Sequence, residues 1–144
     1  QPSYSMFNRL PEEGLLDTIA ELQIGSIVFS PLAQGLLTDR YLDGIPEGSR
    51  AAEGRWIDAE NISETYLERA RALDAIARER GQSLAQLSLL WVLRQPAVTS
   101  ALIGASSVRQ LEDNLGSLDA APLTAEEIAA IEPYAVHGTG ARWR

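Results

Sequence analysis

The chain has no cysteine, no lysine, a single histidine and a single methionine among its 144 residues. Without cysteine there is no disulfide framework, no thiolate nucleophile and no zinc-thiolate centre. The lone histidine, His137, has no ligand-type partners close by that would complete a metal site, so no metal is expected. No apolar segment approaches the ~20 residues that span a bilayer, and no stretch has the charged start and apolar middle of a secretory signal. Positive charge is scarce too: all 12 bases are arginine, scattered without a basic run against 20 acids, for a formal net charge of −8. That balance favours solubility and argues against nucleic acid or an anionic membrane as a partner, since both attract basic patches. A cytoplasmic protein is therefore expected. Internal repeats and low-complexity tracts are also missing.

What is present is enough for one ordinary domain with its own core. The first residue is Gln1, not methionine, and residues 1–7 read as a strand already under way, so the chain is expected to be the C-terminal portion of something longer. Pro11-Glu12-Glu13 then predicts the start of an amphipathic helix with Leu15, Leu16, Ile19 and Leu22 as its buried stripe. Residues 24–29, Ile-Gly-Ser-Ile-Val-Phe, read as a short, fully buried strand stopped by Ser30-Pro31. Residues 35–59 are rich in glycine, proline and polar side chains and too long for a plain connection, which points to a functional excursion.

A long helix is predicted from about residue 63 to 80, with Tyr66, Leu67, Ala70, Leu73, Ile76 and Ala77 on one side and Gly81 as its stop. Ser83 with Gln86 reads as a capping box for the next helix, whose Leu84, Leu87, Leu90 and Trp91 face inward until Pro96. Residues 98–103 form the third strand, a helix follows over about 107–118, and Thr124 with Glu127 caps a last one. This order is the grammar of parallel α/β architecture.

In such folds ligands sit at the carboxyl ends of the strands, and the polar residues of interest cluster there. Ser30, Pro31, Leu32, Ala33 and Gly35 follow the second strand, where small residues let backbone N–H groups approach a diphosphate. Arg40 and Arg50 come next and offer planar forks to phosphate oxygens. A turn with two surface arginines gives the same sequence. The third strand empties at Gly104-Ala105-Ser106 ahead of a helix whose amides and dipole favour an anion. Ser106, Gln110 and Asn114 share one face of it, and Val108, Leu111, Leu115 and Leu118 line another. A solvated helix face would look alike.

Other candidates fail. Ser30 lacks a G-x-S-x-G elbow, and Gly138-Thr139-Gly140 follows a helix, not a strand. Glu12-Glu13 and Glu126-Glu127 open helices, where the dipole accounts for their charge.

The run from Phe29 through Ser30-Pro31-Leu32-Ala33-Gln34-Gly35-Leu36-Leu37-Thr38 to Arg50 resembles the seventh-strand exit of aldo-keto reductases. Residues 102–118, Leu-Ile-Gly-Ala-Ser-Ser-Val-Arg-Gln-Leu-Glu-Asp-Asn-Leu-Gly-Ser-Leu, resemble the eighth-strand exit. The likeness is greatest to the branch holding bacterial L-glyceraldehyde 3-phosphate reductases and the β-subunits of voltage-gated potassium channels, and extends to residues 1–5 and Trp143. It implies an α/β chain forming the C-terminal part, about three strands with outer helices, of a (β/α)8 TIM barrel, which needs about 250 residues when complete. Residues 1–144 would then be the C-terminal portion of an NADP-dependent reductase domain whose N-terminal half lies outside the chain.

The resemblance further implies a cofactor, NADP(H), and a small carbonyl substrate. It assigns Gln1 to the nicotinamide carboxamide and Phe29, where relatives usually have Tyr or Trp, to the face of the nicotinamide ring. Ser30, Leu32, Ala33, Gly35 and Arg40 fall along the diphosphate, and Gly104 at the exit of the third strand. Arg50, Ser106 and Gln110 fall at the adenosine 2′-phosphate, with Asp113 and Asn114 at the adenine; many relatives carry arginine where Gln110 stands. The family's catalytic Asp, Tyr, Lys and His belong to earlier strands, and no residue here matches them. The alternatives are a nucleotide-sensing regulatory module like the channel subunits, or an inert half-barrel, with the missing half or self-association into a homo-oligomer as the expected partner.

Overall fold

A computed structural model describes residues 1–54 and 56–140. Two parallel strands, β1 (Ser26–Phe29) and β2 (Val98–Leu102), form the sheet, with Val28 beside Ala101 and Phe29 beside Leu102. The strand expected over residues 1–7 is reduced to a single parallel bridge, Ser3 to Phe29. The Phe29 N–H donates to Pro2 O (3.0 Å) and the Tyr4 N–H to Phe29 O (3.2 Å). Beyond it the chain turns at once through reciprocal Ser5–Asn8 bonds, because the Ser5 hydroxyl also accepts from the Phe7 and Asn8 amides and offers the backbone a turn in place of a ladder.

The first helix also differs from expectation. Leu10–Glu12 is a 3-10 turn, Gly14 breaks the path at φ +104°, and α1 runs only over Leu15–Glu21. Of the expected stripe Leu16 alone is buried, and Leu15 and Leu22 are exposed. β1 is not buried throughout either: Ser26 and Val28 face the core, whereas Ile27 (41% exposed) and Phe29 (42%) stand on an open face with Leu102 (44%). An unbroken apolar run cannot say how many faces are covered, and here one is.

The excursion is ordered by short pieces: a 3-10 turn at Ala33–Gly35, another at Asp39–Tyr41, the single-turn α2 (Arg50–Glu53) capped by Ser49, and a third 3-10 turn at Ala59–Asn61. Leu36, Leu37, Tyr41, Leu42, Ala51 and Ile57 anchor it in the core.

The rest follows the sequence closely. Helix α3 (Glu64–Glu79) starts at the Ser63 cap and buries Tyr66, Ala70, Leu73 and Ala77. It stops in a Schellman motif, with Gln82 N–H on Ala77 O and Gly81 N–H on Arg78 O, the glycine at φ +69°. Helices α4 (Leu84–Leu93) and α6 (Ala125–Ile131) carry the expected capping boxes. Leu84, Leu87 and Trp91 are buried and Leu90 half-buried. Helix α5 (Val108–Leu115), capped by Ser107, runs on into a 3-10 turn at Gly116–Asp119. Its Val108, Leu111 and Leu115, with Leu118 beyond, are all exposed.

One charged network ties the two ends of the chain together. Glu12 accepts from the Tyr4 hydroxyl (2.6 Å) and from Arg9 Nε and Nη2 (2.8 and 2.6 Å), and Arg94 donates to Tyr4 Oη. Arg9 reaches on to Glu132 and Ala135 O. Burial alone would push the Glu12 carboxyl up, but the hydrogen bonds from Tyr4 and Arg9 and the charges of Arg9 and Arg94 hold it below its ordinary value of 4.5. A depressed carboxylate contributes stability that is complete above the unfolded value and is lost as pH falls through the folded one. Acidification below about pH 4.5 is thus expected to lower the urea midpoint, and Glu12→Gln to flatten that dependence. An unchanged slope for the variant would remove Glu12 from the account.

Candidate functional site

The bridge at Ser3 and the pairing of Phe29 with Leu102 set three segments side by side at one level. The loops after β1 and β2 therefore leave from adjacent positions at the carboxyl edge of the sheet. Phe29 presents its ring on the open face, and Gln1 is exposed.

The loop after β1 holds an unusual backbone. Ser30 (φ 55°), Ala33 (48°), Gln34 (62°) and Gly35 (99°) all lie in the left-handed region, where only the glycine is unstrained. Such conformations cost about 1–3 kcal/mol each for the other residues and concentrate at ligand clamps and active sites. The loop bears them because Pro31, Leu32 and Ala33 are buried, Leu32 among Ala85 and Leu89 of α4. Leu32 and Ala33 thus turn their side chains inward. The amides of Ala33 and Gly35 bond to Ser30 O and Leu32 O, while those of Leu32 and Gln34 carry no hydrogen bond among the described residues. Unbonded amides on a turn are donors that anionic oxygens can use.

Two arginines stand near this loop in sequence. Thr38 holds the turn that carries Arg40, its hydroxyl donating to Gly35 O (2.7 Å) and accepting from the Arg40 amide (3.2 Å). The exposed Arg40 guanidinium makes no bond among the described residues. Arg50, at the first position of α2, donates from Nη1 to Gln34 Oε1 (2.8 Å), and Gln34 Nε2 donates to Ser30 Oγ (3.1 Å). The structure therefore brings Ser30, Gln34 and Arg50 into one chain of bonds, its longer link joining residues 16 apart in sequence.

At the second exit, Gly104 is exposed, and the Ser106 amide and hydroxyl both donate to Gln110 Oε1 (2.8 and 3.0 Å). Asp113 is turned to the start of α4, accepting from Ser83 Oγ (3.0 Å) and Gln86 Nε2. Asn114 is 2% exposed, with no partner for Nδ2 among the described residues. Among the described residues no direct bond joins the Arg50 cluster to the Ser106 pair. Trp143 lies outside the described residues.

Sequence reasoning passed over Gln34. It stands inside the motif between two residues assigned to the diphosphate, and nothing in its type or spacing announces a bond to a residue 16 positions away.

These groups suit a phosphorylated ligand: unbonded amides on a strained loop, and two exposed guanidinium groups nearby. Among the described residues no group of three or more His, Asp or Glu is placed to hold a metal, and no helix is long and apolar enough to cross a membrane.

Comparison with known proteins gives the same direction. The sequence profile of the aldo/keto reductase family matches residues 1–135. An L-glyceraldehyde 3-phosphate reductase of Escherichia coli O157:H7 is 44% identical over 149 aligned positions, covering 100% of this chain and 43% of the relative. A probable voltage-gated potassium channel β-subunit of Oryza sativa subsp. japonica is 36% identical over 132, covering 89% of this chain and 40% of that protein. Among solved structures, an aldo-keto reductase from Bacillus halodurans in its holo form superposes with a TM-score of 0.64 at 30% identity, over 92% of this chain and 40% of that one. A glycerol dehydrogenase from Gluconobacter oxydans reaches 0.74 at 26% identity, over 92% and 40%. The chain thus spans less than half the length of the relatives it matches.

Proposed function

Because this chain belongs to the aldo/keto reductase family, we propose that it is the NADP(H)-binding portion of a reductase acting on small aldehydes or ketones. When bound, the nicotinamide supplies the hydride that reduces a carbonyl carbon. The observation that carries the proposal is the strained loop at 30–35, with free amides at Leu32 and Gln34 and a bonded path to Arg50. In this reading the loop and Arg40 hold the diphosphate, with Ser30 and Gly35 shaping the turn. Phe29 gives its exposed face to the nicotinamide ring and Gln1 its amide to the carboxamide. Arg50, Ser106 and Gln110 take the 2′-phosphate, the Ser106–Gln110 pair opening to do so, and Gly104, Asp113 and Asn114 border the adenine side. Protonation of the carbonyl oxygen falls to a tyrosine outside this chain.

The exposed apolar groups on the sheet beside Phe29 (Ile27, Leu102) and on α5 (Val108, Leu111, Leu115) are what the remaining half of a barrel, or a second copy, would cover.

The test separates the two arginines in the full-length gene product. A charge-assisted hydrogen bond contributes about 1.5–3 kcal/mol, so Arg50→Ala is expected to weaken NADPH binding roughly 10- to 100-fold and leave NADH nearly unchanged. Arg40→Ala should weaken both alike, because the diphosphate is common to them. Equal loss of NADH and NADPH in Arg50→Ala would show the 2′-phosphate assignment to be wrong.

A further inference from the structure

We propose that Gln34 is a positioning residue for cofactor choice: its side chain tethers Arg50 to the strained loop before any nucleotide arrives. The inference rests on the reading of Arg50 as the 2′-phosphate ligand and adds a residue that the family resemblance left without a role. The geometry fixes which end of the amide does what. A guanidinium has only donors, so Gln34 must present Oε1 to Arg50 (2.8 Å), which leaves Nε2 for Ser30 Oγ (3.1 Å). One side chain thereby closes the stretch between Gln34 and Arg50 at the end of β1.

A neutral amide is the right partner for this task. It occupies one N–H of the fork and leaves the arginine's charge and its other donors for a phosphate, whereas a carboxylate would cancel that charge. Exposed arginine otherwise samples many rotamers, and ordering it in advance lowers what binding must spend on ordering. The backbone supports the assignment, because Gln34 sits at φ 62°, ψ 20°, a conformation that favours glycine or asparagine. A long amide stands at a position where the main chain prefers a shorter side chain or none.

The test uses the full-length gene product. Gln34→Asn suits the left-handed backbone but is one methylene too short to bridge; Gln34→Met keeps length without hydrogen bonds. Both are expected to lower the NADPH-to-NADH affinity ratio roughly 3- to 10-fold, and to add no further loss of the ratio on an Arg50→Ala background. Without nucleotide, both should speed tryptic cleavage after Arg50 relative to cleavage after Arg40. Equal weakening of the two nucleotides by both variants would reduce Gln34 to a structural residue and overturn the proposal. An Arg50→Ala change that collapses the ratio beside silent Gln34 variants overturns this proposal alone, whereas an Arg50→Ala that leaves the ratio untouched overturns the underlying reading as well.

Discussion

Aldehyde added to the isolated chain with NADPH is expected to cause no oxidation of the cofactor. Carbonyl reduction needs a proton donor beside the developing alkoxide, and general acid catalysis typically contributes 10²–10⁴-fold. None of the four tyrosines is suited to that work. Tyr4 is buried, donates to Glu12 at 2.6 Å, and is pushed up to about 12 by burial and by that hydrogen bond. Tyr66 is buried with its hydroxyl on Leu36 O, and burial pushes it higher still. Tyr41 is buried as well, and Tyr134 lies beyond α6 rather than at a strand exit.

No lysine exists to lower any of them, and His137 Nδ1 accepts the Arg9 amide at 3.2 Å. Groups that act as a unit lose most of their effect together, so the expected loss is several orders of magnitude against a complete reductase. The check is aldehyde-dependent loss of reduced nicotinamide absorbance with mass-verified chain. Steady turnover would place an acid within these residues and sink the reading.

Trp91→Ala is expected to destabilise the fold by about 3–5 kcal/mol, against a total of about 5–15 kcal/mol for a typical domain. The indole is fully buried, with Arg94 over its ring at 3.6 Å, Arg9 at 5.4 Å and Tyr4 at 5.4 Å between centroids. Truncation empties the core beside the last turn of α4 and removes the surface against which the Glu12 network is held. Its Nε1 has no partner among the described residues, so Trp91→Phe removes an unsatisfied donor along with part of the ring and should cost distinctly less. Urea denaturation of the three proteins orders them. A loss below about 1.5 kcal/mol for the alanine variant would mean that the network stands without the indole.

Where local chemistry decides an outcome, the sequence alone determined it. Ser83 and Thr124 start their helices as their spacing to Gln86 and Glu127 requires, Ser63 starts its helix by accepting the Tyr66 amide, and Gly81 ends one because the left-handed closing position excludes most side chains. The motif after β1 likewise carries the family without any coordinates. Tertiary structure decided whatever depends on a second segment. Residues 1–7 have strand composition but, among the described residues, join the sheet at Ser3 alone, since Ser5 satisfies the next amides locally. Ile27, Phe29 and the apolar side of α5 have core composition but are exposed, since composition does not say which face meets a neighbour. The bond from Gln34 to Arg50 belongs to the same class: it exists because a strained turn and a capped helix are folded against each other, a relation between residues 16 apart that neither motif contains.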